Sequence, residues 1–202
     1  RAAVGSLAAQ RPLLRAHPGP TVSDMTEAEL ALRAAIVPVT PFQQNCAILW
    51  CTRTKKAAIV DPGGDVARIV EAVGKTGVEP ERILLTHGHI DHAGGAAELA
   101  ERLGVEVVGP QREDQWLLDS LPQSGAQYGM AGVRPCTPDR WLEEGDAISV
   151  GEVSFDVLHC PGHTPGHVVF VNRDMGFGVF GDVLFQGSVG RTDLPRGSHE
   201  DL

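Results

Sequence analysis

Six residues constrain this chain more than any other feature: His87-Gly88-His89-Ile90-Asp91-His92. They follow a short, largely apolar run, Arg82 to Thr86, and precede an alanine-rich segment with helical spacing, Gly94 to Leu103. The pattern predicts a strand, a ligand-bearing loop and a helix. A strand that ends in a tight loop aims several side chains at one point beyond its C-terminal end. Divalent metals of intermediate softness take histidine nitrogen and aspartate oxygen at about 2.0–2.2 Å. His87 and His89, at alternate loop positions, can share one ion, while the adjacent Asp91 and His92 can turn toward a second. Two surface histidines alone carry no such meaning. Four ligand-type residues between a strand and a helix do.

Two more ligand candidates follow, each beyond a predicted strand. His163 lies in Cys160-Pro161-Gly162-His163-Thr164-Pro165-Gly166-His167, after a strand over Val153 to Cys160. Asp182 lies in Gly181-Asp182, after a strand over Phe177 to Phe180. Glycine and proline there let the backbone turn sharply at a strand end. His167 opens the strand Val168 to Asn172 and is read as structural, with a supporting role at the site open to it. Asp61, at the end of a strand over Ala57 to Asp61, is either a loop-stabilising cap or a partner that orients a ligand histidine.

Elsewhere the pattern gives strands at Ala35 to Thr40, Cys46 to Cys51, Val105 to Gly109 and Ala147 to Val150. Short turns joining Ala35 to Thr40, Cys46 to Cys51 and Ala57 to Asp61 imply antiparallel pairing of those three. Val66, Ile69, Val70 and Val73 mark a helix closed by Gly77, and Met25 to Arg33 a short one capped by Asp24. Gln111 to Leu121 reads as a helix with Trp116, Leu117 and Leu121 on one face, and Gln123 to Pro135 as a loop rimming a pocket. Residues 1–24, with three arginines and a single acidic residue, are read as a leader outside the fold rather than an organellar signal. Residues 25–202 are read as one domain.

The net charge of −9 argues against a nucleic-acid partner, because there is no basic stripe to neutralise phosphates. Small anionic substrates stay open, since bound divalent cations would invert the local field. No apolar run approaches the ~18–20 residues of a membrane span. Cys46, Cys51, Cys136 and Cys160 form no C-x-x-C pair and are read as reduced thiols, which fits a cytoplasmic protein.

With H-x-H-x-D-H, P-G-H-T-P-G-H and G-D in this order, the sequence resembles the metallo-β-lactamase superfamily. Within it, the small glyoxalase II-like (hydroxyacylglutathione hydrolase-like) hydrolases are the nearer likeness. The resemblance runs from Ile36 to Leu202 and includes Ile59-Val60-Asp61-Pro62-Gly63-Gly64 and Gly190-Arg191-Thr192-Asp193. It implies an α/β fold, a four-layer αβ/βα sandwich of two mixed sheets with helices outside and a dinuclear metal site along one edge. By position it implies His87, His89 and His163 on the first metal, Asp91 and His92 on the second, and Asp182 bridging both. The implied cofactor is two zinc ions, with iron or manganese as alternatives.

The activity this implies is hydrolysis of a glutathione-type or other small thioester by attack of a metal-bound hydroxide, with Asp91 placed to accept its proton. An iron-dependent persulfide dioxygenase of the same superfamily, or a metal-binding homologue without activity, are the alternatives. Arg191 matches the basic substrate-binding position of glutathione-specific members, while Asp193 falls near their tyrosine. Family members also bring a histidine to the second metal from a stretch well after G-R-T-D. The sequence reaches Leu202 without it, so the expectation is a fold lacking its C-terminal end. The expected partner is a small-molecule thioester, and the expected state a monomer or homodimer.

Overall fold

Val153–His159 alternates buried and exposed residues along VSFDVLH, the period of a strand with one face on a core. Lys56–Val60, KAAIV, is instead buried at its last four positions, which requires cover on both faces. The computed structural model, which describes residues 31–202, shows where that cover comes from. Strands β1 (Leu32–Val39), β2 (Gln44–Cys51), β3 (Lys56–Val60), β4 (Glu79–Leu84) and β5 (Glu106–Val108) form one sheet in that order. The pairs β1–β2 and β2–β3 are antiparallel, whereas β3–β4 and β4–β5 are parallel. Helix α1 (Val66–Thr76) makes the crossover from β3 to β4; α2 (Ile90–Ala93) and α3 (Ala96–Leu103) make the one from β4 to β5.

The second sheet is β6 (Ala147–Val150), β7 (Val153–His159), β8 (Val168–Asn172) and β9 (Phe177–Val179), all antiparallel. Among the described residues only the first sheet is mixed, a difference from the two mixed sheets implied by the resemblance. The reason is the connections: each turn in the second sheet is too short to carry a crossover helix.

Successive residues of β3 serve different cores. Ala57 and Ile59 face the helices, while Ala58 and Val60 face the second sheet. Phe155 and Phe170 come from the opposite side to fill the space between sheets. No residue of the described helices enters that inter-sheet core, so the described residues form the helix, sheet and sheet layers of the sandwich. None of the described helices is long and apolar enough to cross a membrane.

Several expected boundaries move. Arg33, expected in a helix from Met25, pairs with Trp50 in β1; the rest of that helix up to residue 30, and the leader, lie outside the described residues. The helix expected over Gly94 to Leu103 begins at Ala96 as α3, and part of the expected ligand loop, Ile90–Ala93, is itself the short helix α2. Gln111–Leu121 divides into a 3₁₀ turn (Arg112–Asp114), α4 (Gln115–Asp119) and α5 (Leu121–Tyr128), so the first part of the expected loop 123–135 is helical. Pro122 explains the division: lacking an N–H, it belongs in a first turn and starts a new helix. Leu117, Leu118 and Leu121 are buried there, with Trp116 left half-buried. A small hairpin, β10 (Leu184–Phe185) with β11 (Ser188–Val189), was not anticipated.

Candidate metal centre

The C-terminal ends of β4, β7 and β9 come to one rim of the sandwich. Val168 N donates to Thr86 O at 2.8 Å, joining the second sheet to the end of the first. Three segments distant in sequence thereby converge. His87, His89 and His163 form one group whose ligand atoms lie within 4.8 Å of one another, and His87, His92 and Asp182 form another. His89 Nδ1 and His163 Nε2 are 2.9 Å apart. His92 Nε2 is 3.2 Å from Asp182 Oδ1, and His163 Nε2 is 3.4 Å from Asp182 Oδ2. Ligand atoms at 2.0–2.1 Å from a tetrahedral centre are about 3.3–3.4 Å from each other. The spacing therefore suits a metal.

The tautomers suit it too. Asp61 Oδ1 accepts from Thr86 N at 2.8 Å, and its Oδ2 accepts the Thr86 hydroxyl at 2.7 Å. With its hydrogen so committed, Thr86 Oγ1 accepts from His87 Nδ1 at 3.1 Å. The lone pair of His87 is then on Nε2, which is buried and has no hydrogen-bond partner. His92 Nδ1 donates to the same Asp61 Oδ2 at 3.0 Å, and His163 Nδ1 donates to Arg191 O at 2.8 Å. Each of these outer nitrogens is held by an oxygen, leaving Nε2 to face the cluster, the arrangement by which ligand histidines are oriented. Of its two sequence readings, Asp61 takes the orienting one. Thr86 was given no role from sequence; its signal is a hydroxyl residue directly before the H-x-H pair.

Burial and neighbouring histidines keep His87 neutral, well below the usual histidine range. Burial, with His163 and His92 alongside, likewise takes His89 down to about 3. His92 goes the other way. Burial disfavours its charge, but hydrogen bonds to Asp182 and Asp61 outweigh that and raise it to about 10. Asp182 is pushed up by burial yet ends below the usual carboxylate range, because His92 and the other imidazoles favour its charge.

Asp91 lies at the edge of the cluster, its Oδ2 3.7 Å from His92 Nε2, and neither tight group includes it. Burial raises its pKa, assisted by Asp182, against the opposing pull of His92. His167 is buried and does support the site: its Nε2 accepts from Asp182 N at 3.0 Å, and its ring stacks on His87 at 4.6 Å. The Arg191 side chain is turned to Asp193, with bonds of 2.7 and 2.8 Å to the two carboxylate oxygens. Its carbonyl, rather than its guanidinium, is what reaches the cluster.

Comparison with known proteins agrees with this geometry. The metallo-beta-lactamase superfamily profile matches residues 39–202. The chain is 44% identical over 168 residues to hydroxyacylglutathione hydrolase GloC of Haemophilus influenzae, covering 83% of this chain and 79% of that protein. Among solved structures, the B3 metallo-beta-lactamase BLEG-1 superposes with a TM-score of 0.72 at 33% identity, over 83% of this chain and 80% of that one. TTHA1623 in a di-iron-bound form gives a TM-score of 0.72 at 35% identity, over 83% of this chain and 81% of its own. With His87, His89, His163, His92 and Asp182 gathered at the sheet rim, the chain belongs to the metallo-beta-lactamase superfamily.

Proposed function

We propose that this metallo-hydrolase cleaves a small thioester, with two divalent metal ions held by the cluster. The observation that carries the reading is the pair of ligand groups sharing His87, whose inward Nε2 has no partner in the protein. A mononuclear dioxygenase site needs one triad of ligands; here His92 and Asp182 stand beside the triad of His87, His89 and His163 as further ligand-type groups, which favours the hydrolase over the persulfide dioxygenase. His87, His89 and His163 would hold one ion, and His92 with Asp182 the other, Asp182 reaching both groups through its two oxygens. Ions bound there would acidify water from a pKa of 15.7 to about 7 and polarise the thioester carbonyl. The likeness to a hydroxyacylglutathione hydrolase supports the thioester class. The metal is zinc or iron, the latter supported by the di-iron form of TTHA1623.

The chain's own groups do the rest. Thr86 fixes the tautomer of His87 and Asp61 holds the outer nitrogen of His92 before any ion arrives, so the two rings need little reorientation on binding. Asp182 is held by its main-chain N–H on His167, which aims the carboxylate between His92 and His163. Asp91 is more open to solvent than His92 beside it, which supports a role for its Oδ2 in taking a proton and releasing it to water. The Arg191–Asp193 pair lies outside the cluster, and its internal neutralisation favours a substrate whose thiol portion is not strongly anionic.

The test is elemental analysis of purified protein beside a panel of thioesters that includes S-lactoylglutathione, with a β-lactam and glutathione persulfide as comparators. About two metals per chain with thioester turnover is expected. Oxygen uptake on the persulfide, with one iron and no thioester turnover, would overturn the hydrolase reading.

A further inference from the structure

Asp114 is wholly buried, belongs to neither ligand group and faces no arginine or lysine in any of the described ion pairs. A carboxylate in such a place must be satisfied by donors. It is: Oδ2 accepts from Gly88 N at 2.8 Å and from Thr164 Oγ1 at 2.8 Å, and Oδ1 accepts from Gly166 N at 2.7 Å. Gly88 sits between His87 and His89. Thr164 and Gly166 sit between His163 and His167. One side chain, at the end of the 3₁₀ turn Arg112–Asp114, thus ties together two ligand loops that the sequence keeps far apart.

The contact is close enough to exclude side chains. A Cβ on Gly88 would stand 2.7 Å from Leu117 Cβ, and one on Gly166 would stand 2.6 Å from Asp114 N. Gln111 N adds a bond to Gly166 O at 3.0 Å. Both loops are pressed on the same turn, and an apolar residue at 114 would leave two buried N–H groups unpaired.

We propose that Asp114 is the positioning residue that sets the gap between the two ligand loops, and through it the approach of His89 Nδ1 to His163 Nε2. It acts through the backbone, touching no ligand atom, and the inference rests on the cluster being a metal site. Geometry of this kind has to hold within about 0.5 Å for ligands to converge.

The experiment is titration of chelator-treated protein with cobalt(II), reading affinity by competition and ligand geometry by the visible absorption band. Asp114→Asn converts one acceptor oxygen into a donor that meets an N–H or O–H, so at least one of the bonds to the two loops is lost. Its cobalt affinity should fall about 10–100-fold, with a shifted band. Thr164→Val removes a single bond and should move both readouts the same way by less; it carries the test if Asp114→Asn does not fold. Asp139→Asn is the control for simple destabilisation: Asp139 holds Val107 N at 2.8 Å and touches neither ligand loop, and its cobalt band should match wild type. Wild-type affinity and band in both the Asp114→Asn and the Thr164→Val proteins overturn the proposal, as does an equal loss in the Asp139→Asn protein. Wild-type protein that takes up no cobalt instead removes the metal reading itself, and this inference with it.

Discussion

His92 donates from both ring nitrogens, to Asp61 and to Asp182, and its pKa stands near 10. At pH 7 it is therefore charged, and a cation can use Nε2 only after the proton there has left. Metal uptake at that position should release a proton, and apparent affinity should rise with pH up to about 10. Proton release followed in weakly buffered solution checks this, with His92→Asn releasing one proton fewer; equal release by the two proteins would refute it. Asp182 is the other side chain with two allegiances. Asp182→Ala removes the carboxylate that groups with His87 and His92 and lies 3.4 Å from His163 Nε2, so bound metal and thioester turnover should fall together. Unchanged metal content in that variant would show that Asp182 belongs to neither position.

Strand ends and the loops beyond them are where the sequence was most readable. H-x-H-x-D-H, P-G-H-T-P-G-H and G-D each sit just after a stretch patterned as a strand, so motif and strand name each other. Asp114 and Thr86 escaped notice because their importance lies in which distant backbone they meet, and pairing across the fold leaves no local pattern. The division at Ser120 escaped for a different reason: Gln, Ser and Gly around 123–126 look like loop, and only the fixed φ of Pro122 makes them a helix start. The two sheets depend on alternation, and Phe155 illustrates what that is worth. It is 1% exposed in the centre of β7, edge-on to Phe177 at 6.2 Å. Phe155→Ala should cost about 3–5 kcal/mol in urea unfolding. Because the residue lies mid-strand and the ligands lie beyond strand ends, metal stoichiometry of the folded protein should be unchanged; a lost metal would show that the inter-sheet packing itself sets the rim.

The ligands of a single cluster come from both sheets, which makes metal binding a property of the folded molecule. His87, His89 and His92 follow β4 in the first sheet, while His163 and Asp182 follow β7 and β9 in the second. An ion that holds residues from both finds its full ligand set only in the folded chain, so binding stabilises the native state over the unfolded one. At a free metal concentration about 100 times Kd the gain is about 2.7 kcal/mol. For a chain of this length each kcal/mol moves Tm by about 2–4 °C, so metal should raise Tm by about 5–11 °C and a chelator should reverse it. The same measurement separates a cross-sheet site from a local one. If the 87–92 loop alone held the ion, the unfolded chain would bind it as well and the shift would shrink. His163→Ala withdraws the second sheet's imidazole and leaves that loop intact, so it should lose most of the metal-dependent rise in Tm. A full shift in the His163→Ala protein would mean that the ion never spans the two sheets.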